Sequence, residues 1–323
     1  MNNFYKIEIE GLKAIAIISL ILYYAEVSLY GKFLLQGGFI GTDIFFTISG
    51  YLTISKISRN SSHGKRFSII NFFKNRIKRI IPPLLFLIIV SLPFVYFYLL
   101  PNDLLNFVKS IISTISFNSN FFYHYSGNAF GEASLIRKPF YHLWSLSVLI
   151  QFYIIFTLVI LITFKYFKKY LGIILISIFI LSFFITVLGS LNNPLLKFYI
   201  IQSRLWEFLA GSLLGYYLIG KKIKNKNSIL STIATGLGLG LIIYSILFFE
   251  NTTPHPSFYT FLPVFGVLLF ICFSNENNLI TRLLSFKPLV FIGLISFSLY
   301  LWFYTIFSFY RIYTSGILIF NSS

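Results

Sequence analysis

A single cysteine, Cys272, leaves the chain without an intrachain disulfide or a metal site built on paired thiolates. Charge is scarce too: Asp, Glu, Lys and Arg make up 11% of the 323 residues, where soluble domains carry about 25%. Apolar residues fill 57% of positions, and this excess together with the shortage of charge excludes a soluble globular domain. Acidic residues are the rarest, 9 against 26 basic ones, for a formal net charge of +17. The basic residues cluster in short loops between apolar runs, which is a topology pattern, so nucleic acid is not an expected partner. Histidine is sparser still, with four. His63 lies in a charged loop, His124 among tyrosines and His255 between two prolines, and none has neighbours that suggest metal ligation. No metal site is expected.

What the chain does have is apolar sequence in blocks of about 20 residues, the length that crosses a bilayer. These runs cover roughly 11–30, 36–55, 80–100, 142–164, 170–190, 204–220, 229–249, 258–273 and 288–311. The first is no cleaved signal peptide, because similar blocks recur to the C-terminus. The expected fold is all-α, a polytopic transmembrane bundle of about nine spans with the N-terminus inside. The run 104–122 contains Lys109 and several Asn, Ser and Thr residues, and reads as a helix lying at the surface or dipping in. Charge placement supports that reading. Lys56 to Arg79, Lys165 to Lys169, Lys221 to Lys226, Arg282 and Lys287 then all fall on the cytoplasmic side, as the positive-inside rule asks. The long loop 101–141 falls outside.

Ionisable residues within or beside these spans need a partner, water or a job. Asp43 follows Gly37, Gly38 and Gly41 at the start of the second span, as a helix cap or as part of a polar site. Arg204 and Glu207 are three apart on one helix face, suited to an ion pair or to chemistry. His142 opens the fourth span, to bind a ligand or to sit in the wet interface. Arg76-Ile77-Lys78-Arg79 gathers positive charge just inside the membrane. It serves as a topology signal, as a site for anionic lipid, or as a fork for the phosphates of a cytoplasmic donor.

The order of these stretches resembles the acyltransferase-3 family of membrane O-acyltransferases, which modify lipopolysaccharide, peptidoglycan and other glycans. Glu10-Gly11-Leu12-Lys13-Ala14 is similar to its opening Asp-Gly-Leu-Arg-Ala. Gly37 to Leu52 is similar to Gly-Gly-Phe-x-Gly-Val-Asp-x-Phe-Phe-x-x-Ser-Gly-Phe-Leu, and Arg76 to Pro82 to Arg-x-x-Arg-Ile-x-Pro. His142 to Tyr153, Arg204 to Gly211, Pro254 to Gly266 and Ile295 to Trp302 follow in order. The resemblance implies one membrane domain over 1–323, with an acyl group, acetyl first among candidates, moving from cytoplasmic acyl-CoA to an envelope glycan or glycolipid. No tightly bound cofactor is implied, because acetyl-CoA or another acyl-CoA is the donor substrate. By resemblance, Asp43, Tyr24, His142 and Glu207 belong to the catalytic site, and Arg76, Arg79, Lys13 and Arg204 to donor binding. The implied location is the bacterial cytoplasmic membrane.

The departures concern the groups that acyl transfer needs. The family's first-span histidine falls at Tyr24, its glutamate pair at Leu149 and Ile150, and its Trp-His-Trp-Pro histidine at Phe303. A tyrosine, with a reference pKa of about 10, is a poor base at neutral pH. The chain also ends one span short of the usual family length, so a partner subunit is expected to cover the exposed faces. The expectation is therefore an acyltransferase of impaired catalysis. A non-catalytic binding or assembly protein on the same scaffold is the alternative, and a transporter the more distant one.

Overall fold

A computed structural model describes residues 6–30, 32–33, 35–62, 68–130, 135–192, 198–218 and 228–321. His63, Lys65, Arg66 and the Lys221, Lys222, Lys224, Lys226 cluster lie outside these residues. The chain runs through α1 (Glu8–Tyr24), a minimal hairpin of β1 (Ser28–Leu29) and β2 (Lys32–Phe33), and then α2 (Gly41–Ser62). Next come α3 (Ile69–Tyr98), α4 (Pro101–Ile115) and α5 (Ser119–Phe130). They are followed by α6 (Trp144–Tyr166), α7 (Leu171–Asn192), α8 (Ile201–Leu218) and α9 (Ser228–Phe248). The last three are α10 (Phe261–Phe273), α11 (Leu279–Leu284) and α12 (Lys287–Asn321).

The all-α reading holds, and the chain is a multi-pass membrane protein. Five stretches are long and apolar enough to cross a bilayer: Asn71–Tyr98, Tyr141–Tyr166, Leu171–Gly189, Ile229–Phe248 and Lys287–Thr314. Phe258–Phe273 is a shorter apolar helix.

Three element boundaries differ from the sequence reading, each for a local reason. The first helix stops at Tyr24 rather than near Tyr30, because Glu26 and Tyr30 take φ values of 52° and 51°, in the left-handed region that ends a helix. Antiparallel pairing of Ser28 with Phe33 and Leu29 with Lys32 takes over there. The third helix starts at Ile69, where the Ser68 side chain accepts the Asn71 N–H at 3.3 Å as an N-cap. Arg76 and Arg79 therefore lie inside α3, one turn before Pro82 and Pro83. The run 104–122 is not one helix, since Phe117 at φ 53° separates α4 from α5. One face of α4 buries Phe107, Ser110 and Thr114, while Leu105, Val108, Ile112 and Ile115 are exposed.

The chain divides into two compact units, residues 1–67 with 156–296, and residues 68–155 with 297–323, the boundaries falling inside α6 and α12. In the first unit Ile9, Leu12, Ala16, Ile44, Ile48, Tyr51 and Phe270 are part of one buried apolar cluster. Its tightest seam joins α2 and α8. A Cβ on Gly50 would stand 1.8 Å from the Phe208 carbonyl oxygen, and one on Gly211 would stand 1.9 Å from that of Thr47. Only glycine lets these backbones approach so closely. Phe46 stacks on Phe208 in the same seam, centroids 4.3 Å apart. α7 is tied to α8 by hydroxyls, with Thr186 Oγ1 donating to the Ser203 carbonyl at 2.7 Å and Ser182 Oγ accepting the Trp206 N–H at 2.9 Å.

In the second unit Ser119 and Ser147 share a 2.7 Å hydroxyl hydrogen bond, and Gln151 Nε2 donates to Asn120 Oδ1 at 2.9 Å. These bonds hold α5 against α6.

Candidate functional site

The closely packed α2–α8 seam brings together three charged side chains that are distant in sequence. Asp43 lies in the first turn of α2, where the helix dipole favours a carboxylate. Arg204 and Glu207 lie in the first two turns of α8. Arg204 Nη1 donates to Asp43 Oδ1 at 2.8 Å and to Glu207 Oε1 at 2.9 Å. Its Nε donates to the Phe198 carbonyl at 3.4 Å, and its guanidinium lies over the Phe198 ring, 5.2 Å from the centroid. All three side chains have 0% exposure. Asp43 Oδ2 and Glu207 Oε2 have no hydrogen-bond partner among the described residues.

A fourth member was not singled out in the sequence. His255 Nε2 approaches Asp43 Oδ1 to 3.4 Å, with 9% of the side chain exposed. Its ring packs edge-on against Phe39 at 4.7 Å and Phe198 at 6.1 Å. Its other nitrogen, Nδ1, lies 3.2 Å from Thr260 Oγ1. The segment is held by a capping box: the Ser257 N–H donates to Thr260 Oγ1 at 3.1 Å, and Ser257 Oγ accepts the Tyr259 N–H at 3.1 Å. Burial, and after it the Arg204 guanidinium, holds His255 well below the usual imidazole pKa, with Glu207 opposing, so the ring is neutral at pH 7.

The other residues taken from the sequence are placed as follows. Tyr24 is the last residue of α1, its ring edge-on to Tyr23 at 4.9 Å. Tyr23 in turn meets Phe39 at 5.8 Å and donates its hydroxyl to Asn251 Oδ1 at 3.1 Å. Lys13 pairs with Glu10 at 2.8 Å. Arg76, Arg79 and His142 belong to the second unit. Arg76 lies over the Tyr153 ring at 4.3 Å and near Phe72 at 5.4 Å, while Arg79 is exposed. His142 is buried among aromatic rings, stacked on Tyr304 at 5.0 Å and close to Tyr300 at 5.2 Å and Phe303 at 5.8 Å. The Tyr300 hydroxyl donates to the His142 carbonyl at 2.5 Å. Asp43, Arg204 and Glu207 thus meet at one place, and the imidazole that meets them there belongs to His255.

Two comparisons bear on this arrangement. The family model described as an acyltransferase domain matches residues 6–321. The chain is 31% identical over 315 residues to the O-acetyltransferase OatA of Staphylococcus aureus (strain NCTC 8325 / PS 47), an alignment covering 94% of this chain and 51% of that protein. It is 28% identical over 310 residues to the peptidoglycan O-acetyltransferase OatA of Listeria monocytogenes serovar 1/2a, covering 92% of this chain and 49% of that protein. The chain therefore spans about half the length of these relatives. No solved structure matches it.

Proposed function

The chain belongs to this acyltransferase family, and from that premise we propose that it moves an acyl group, acetyl in the first instance, from cytoplasmic acyl-CoA to a hydroxyl of a cell-envelope glycan. The observation that carries the reading is the buried Asp43–Arg204–Glu207 cluster. Ionised groups inside a membrane bundle are expensive, and they persist where they have work to do. Acyl transfer supplies that work. Charge develops on the carbonyl oxygen in the transition state, and a preorganised guanidinium is a strong stabiliser of it in a dry site. Arg204 has that role here, with Asp43 and Glu207 holding its plane. Arg76 and Arg79 are assigned to the donor's phosphates, a match to the guanidinium fork.

The proposed setting is the bacterial cytoplasmic membrane, with the N-terminus inside and about nine spans, resting on the basic loops. A reporter active only in the cytoplasm is expected to work when fused after Lys226 and to stay silent when fused after Thr253. The reverse pattern would sink this topology.

A non-catalytic binding protein on the same scaffold is the second reading, favoured by Tyr24, Leu149, Ile150 and Phe303 at positions where the family resemblance leads one to expect His or Glu. One experiment separates the two. Membranes carrying this chain, given labelled acetyl-CoA and purified envelope glycan, are expected to form alkali-labile glycan esters above the level of empty membranes. Replacing Arg76 and Arg79 together with glutamine is expected to raise the acetyl-CoA concentration needed. Ester formation equal to empty membranes would favour the binding protein.

A further inference from the structure

The acyl-transfer reading lacks a proton acceptor, because Tyr24 and Phe303 stand where the resemblance leads one to expect histidines. We propose that His255 is the general base of this site, with Asp43 and Thr260 fixing its tautomer so that Nδ1 is the accepting nitrogen. The inference rests on the acyl-transfer reading and adds the residue that takes the hydroxyl proton.

The tautomer follows from the neighbours. Nε2 faces a carboxylate oxygen, Asp43 Oδ1, at 3.4 Å. A bare nitrogen lone pair there would oppose the oxygen's own lone pairs, so Nε2 carries the ring proton. Nδ1 is then an acceptor, and the group 3.2 Å from it is the Thr260 hydroxyl. That hydroxyl oxygen already accepts the Ser257 N–H at 3.1 Å, which leaves its own hydrogen free to point at Nδ1. Thr260 Oγ1–H thus donates to His255 Nδ1, while Nε2–H faces the Asp43 carboxylate across 3.4 Å, a charge contact rather than a hydrogen bond. A base within reach of a hydroxyl and oriented by a carboxylate is the arrangement used to activate oxygen nucleophiles. Thr260 Oγ1 keeps its place at Nδ1 and passes the proton on: its remaining lone pair accepts the acceptor hydroxyl's hydrogen as its own moves to Nδ1.

A second observation points to a ligand at this place. Asp43 is fully buried, yet Oδ2 has no hydrogen-bond partner among the described residues. A glycan presents neighbouring hydroxyls, so one can donate to Thr260 Oγ1 while the next donates to Oδ2. The step balances without any other reagent. The acceptor oxygen forms a bond to the thioester carbonyl carbon, and its proton passes through Thr260 Oγ1 to Nδ1. The C–S bond breaks, and the proton on the imidazolium leaves with the CoA thiolate as the free thiol. Asp43 stabilises the transient imidazolium, while Arg204 and Glu207 are the other charged groups facing the ring.

The test compares the parent chain with His255→Gln, Thr260→Val and Thr260→Ser, each purified in detergent and assayed with labelled acetyl-CoA and envelope glycan. The expected result for His255→Gln is a fall in kcat of about 10²–10⁴-fold, with loss of the acid limb on which the parent's kcat rises with pH, a limb lying well below the usual imidazole range. Thr260→Val is expected to lose activity and Thr260→Ser to keep it, a pair that still decides the matter if the His255 variant does not fold. If the parent turns over and His255→Gln stays within threefold of it, with the pH limb intact, the inference falls and the acyl-transfer reading stands. Equal rates for the Val and Ser variants would also overturn it. No turnover by the parent would overturn both.

Discussion

Arg204→Met is expected to lose most of its folded yield, the largest stability effect of any single substitution in the first unit. The guanidinium is the donor that both Asp43 and Glu207 share, and all three side chains are at 0% exposure. Removing it leaves two carboxyl groups facing one another without their common cation. Breaking a buried ion pair from one side costs about 3–5 kcal/mol, because the charge left behind is uncompensated. Natural stabilities are themselves only about 5–15 kcal/mol. Replacing the whole cluster is a different matter. The triple variant Asp43→Asn, Arg204→Met, Glu207→Gln has no unpaired charge and is expected to recover much of the folded yield while transferring no acyl group. Monodispersity and thermal unfolding in detergent would measure the first effect, and glycan ester formation the second. A single Arg204→Met protein as stable as the parent would show that the cluster is not a buried, charge-paired unit.

Part of this site is legible in the sequence. The three-residue spacing of Arg204 and Glu207 puts them on one helix face, and the pairing is observed at 2.9 Å. The close approach permitted by glycines is legible near Asp43 as well, although the tightest contact falls at Gly50. The partnership of Asp43 with Arg204 spans 161 residues of chain, and no local pattern encodes it. His255, between Pro254 and Pro256, reads in the sequence as an ordinary loop residue. A signal was available: Ser257 and Thr260 form a capping box that stiffens the turn and sets a hydroxyl beside the ring. The helix ends show the same limit. Ser68 could be read as a cap for α3, but the left-handed residues Glu26, Tyr30 and Phe117 that end α1 and split the run 104–122 are not glycines. Residues other than glycine seldom adopt that region, so nothing local marks these breaks.

Asp43→Asn is expected to give the largest activity effect at the smallest structural cost. Asparagine keeps a side-chain oxygen for the 2.8 Å bond from Arg204 and nearly the same volume in a fully buried place. It removes the negative charge that fixes the His255 tautomer and opposes the positive charge arising there. Glu207 remains to pair Arg204 at 2.9 Å, so the fold is expected to hold and the melting temperature to shift little. In a triad of this type, a neutral amide in place of the carboxylate costs about 10⁴-fold in turnover.

We propose that acyl transfer takes place at the charged cluster between α2 and α8. The most direct test is the rate of transfer from labelled acetyl-CoA to envelope glycan by purified Asp43→Asn protein, set against the parent at equal folded concentration. The expected result is parent turnover with a loss of at least about 100-fold in the variant, in line with the removal of general acid–base help. A variant that melts like the parent and transfers within threefold of its rate would contradict it.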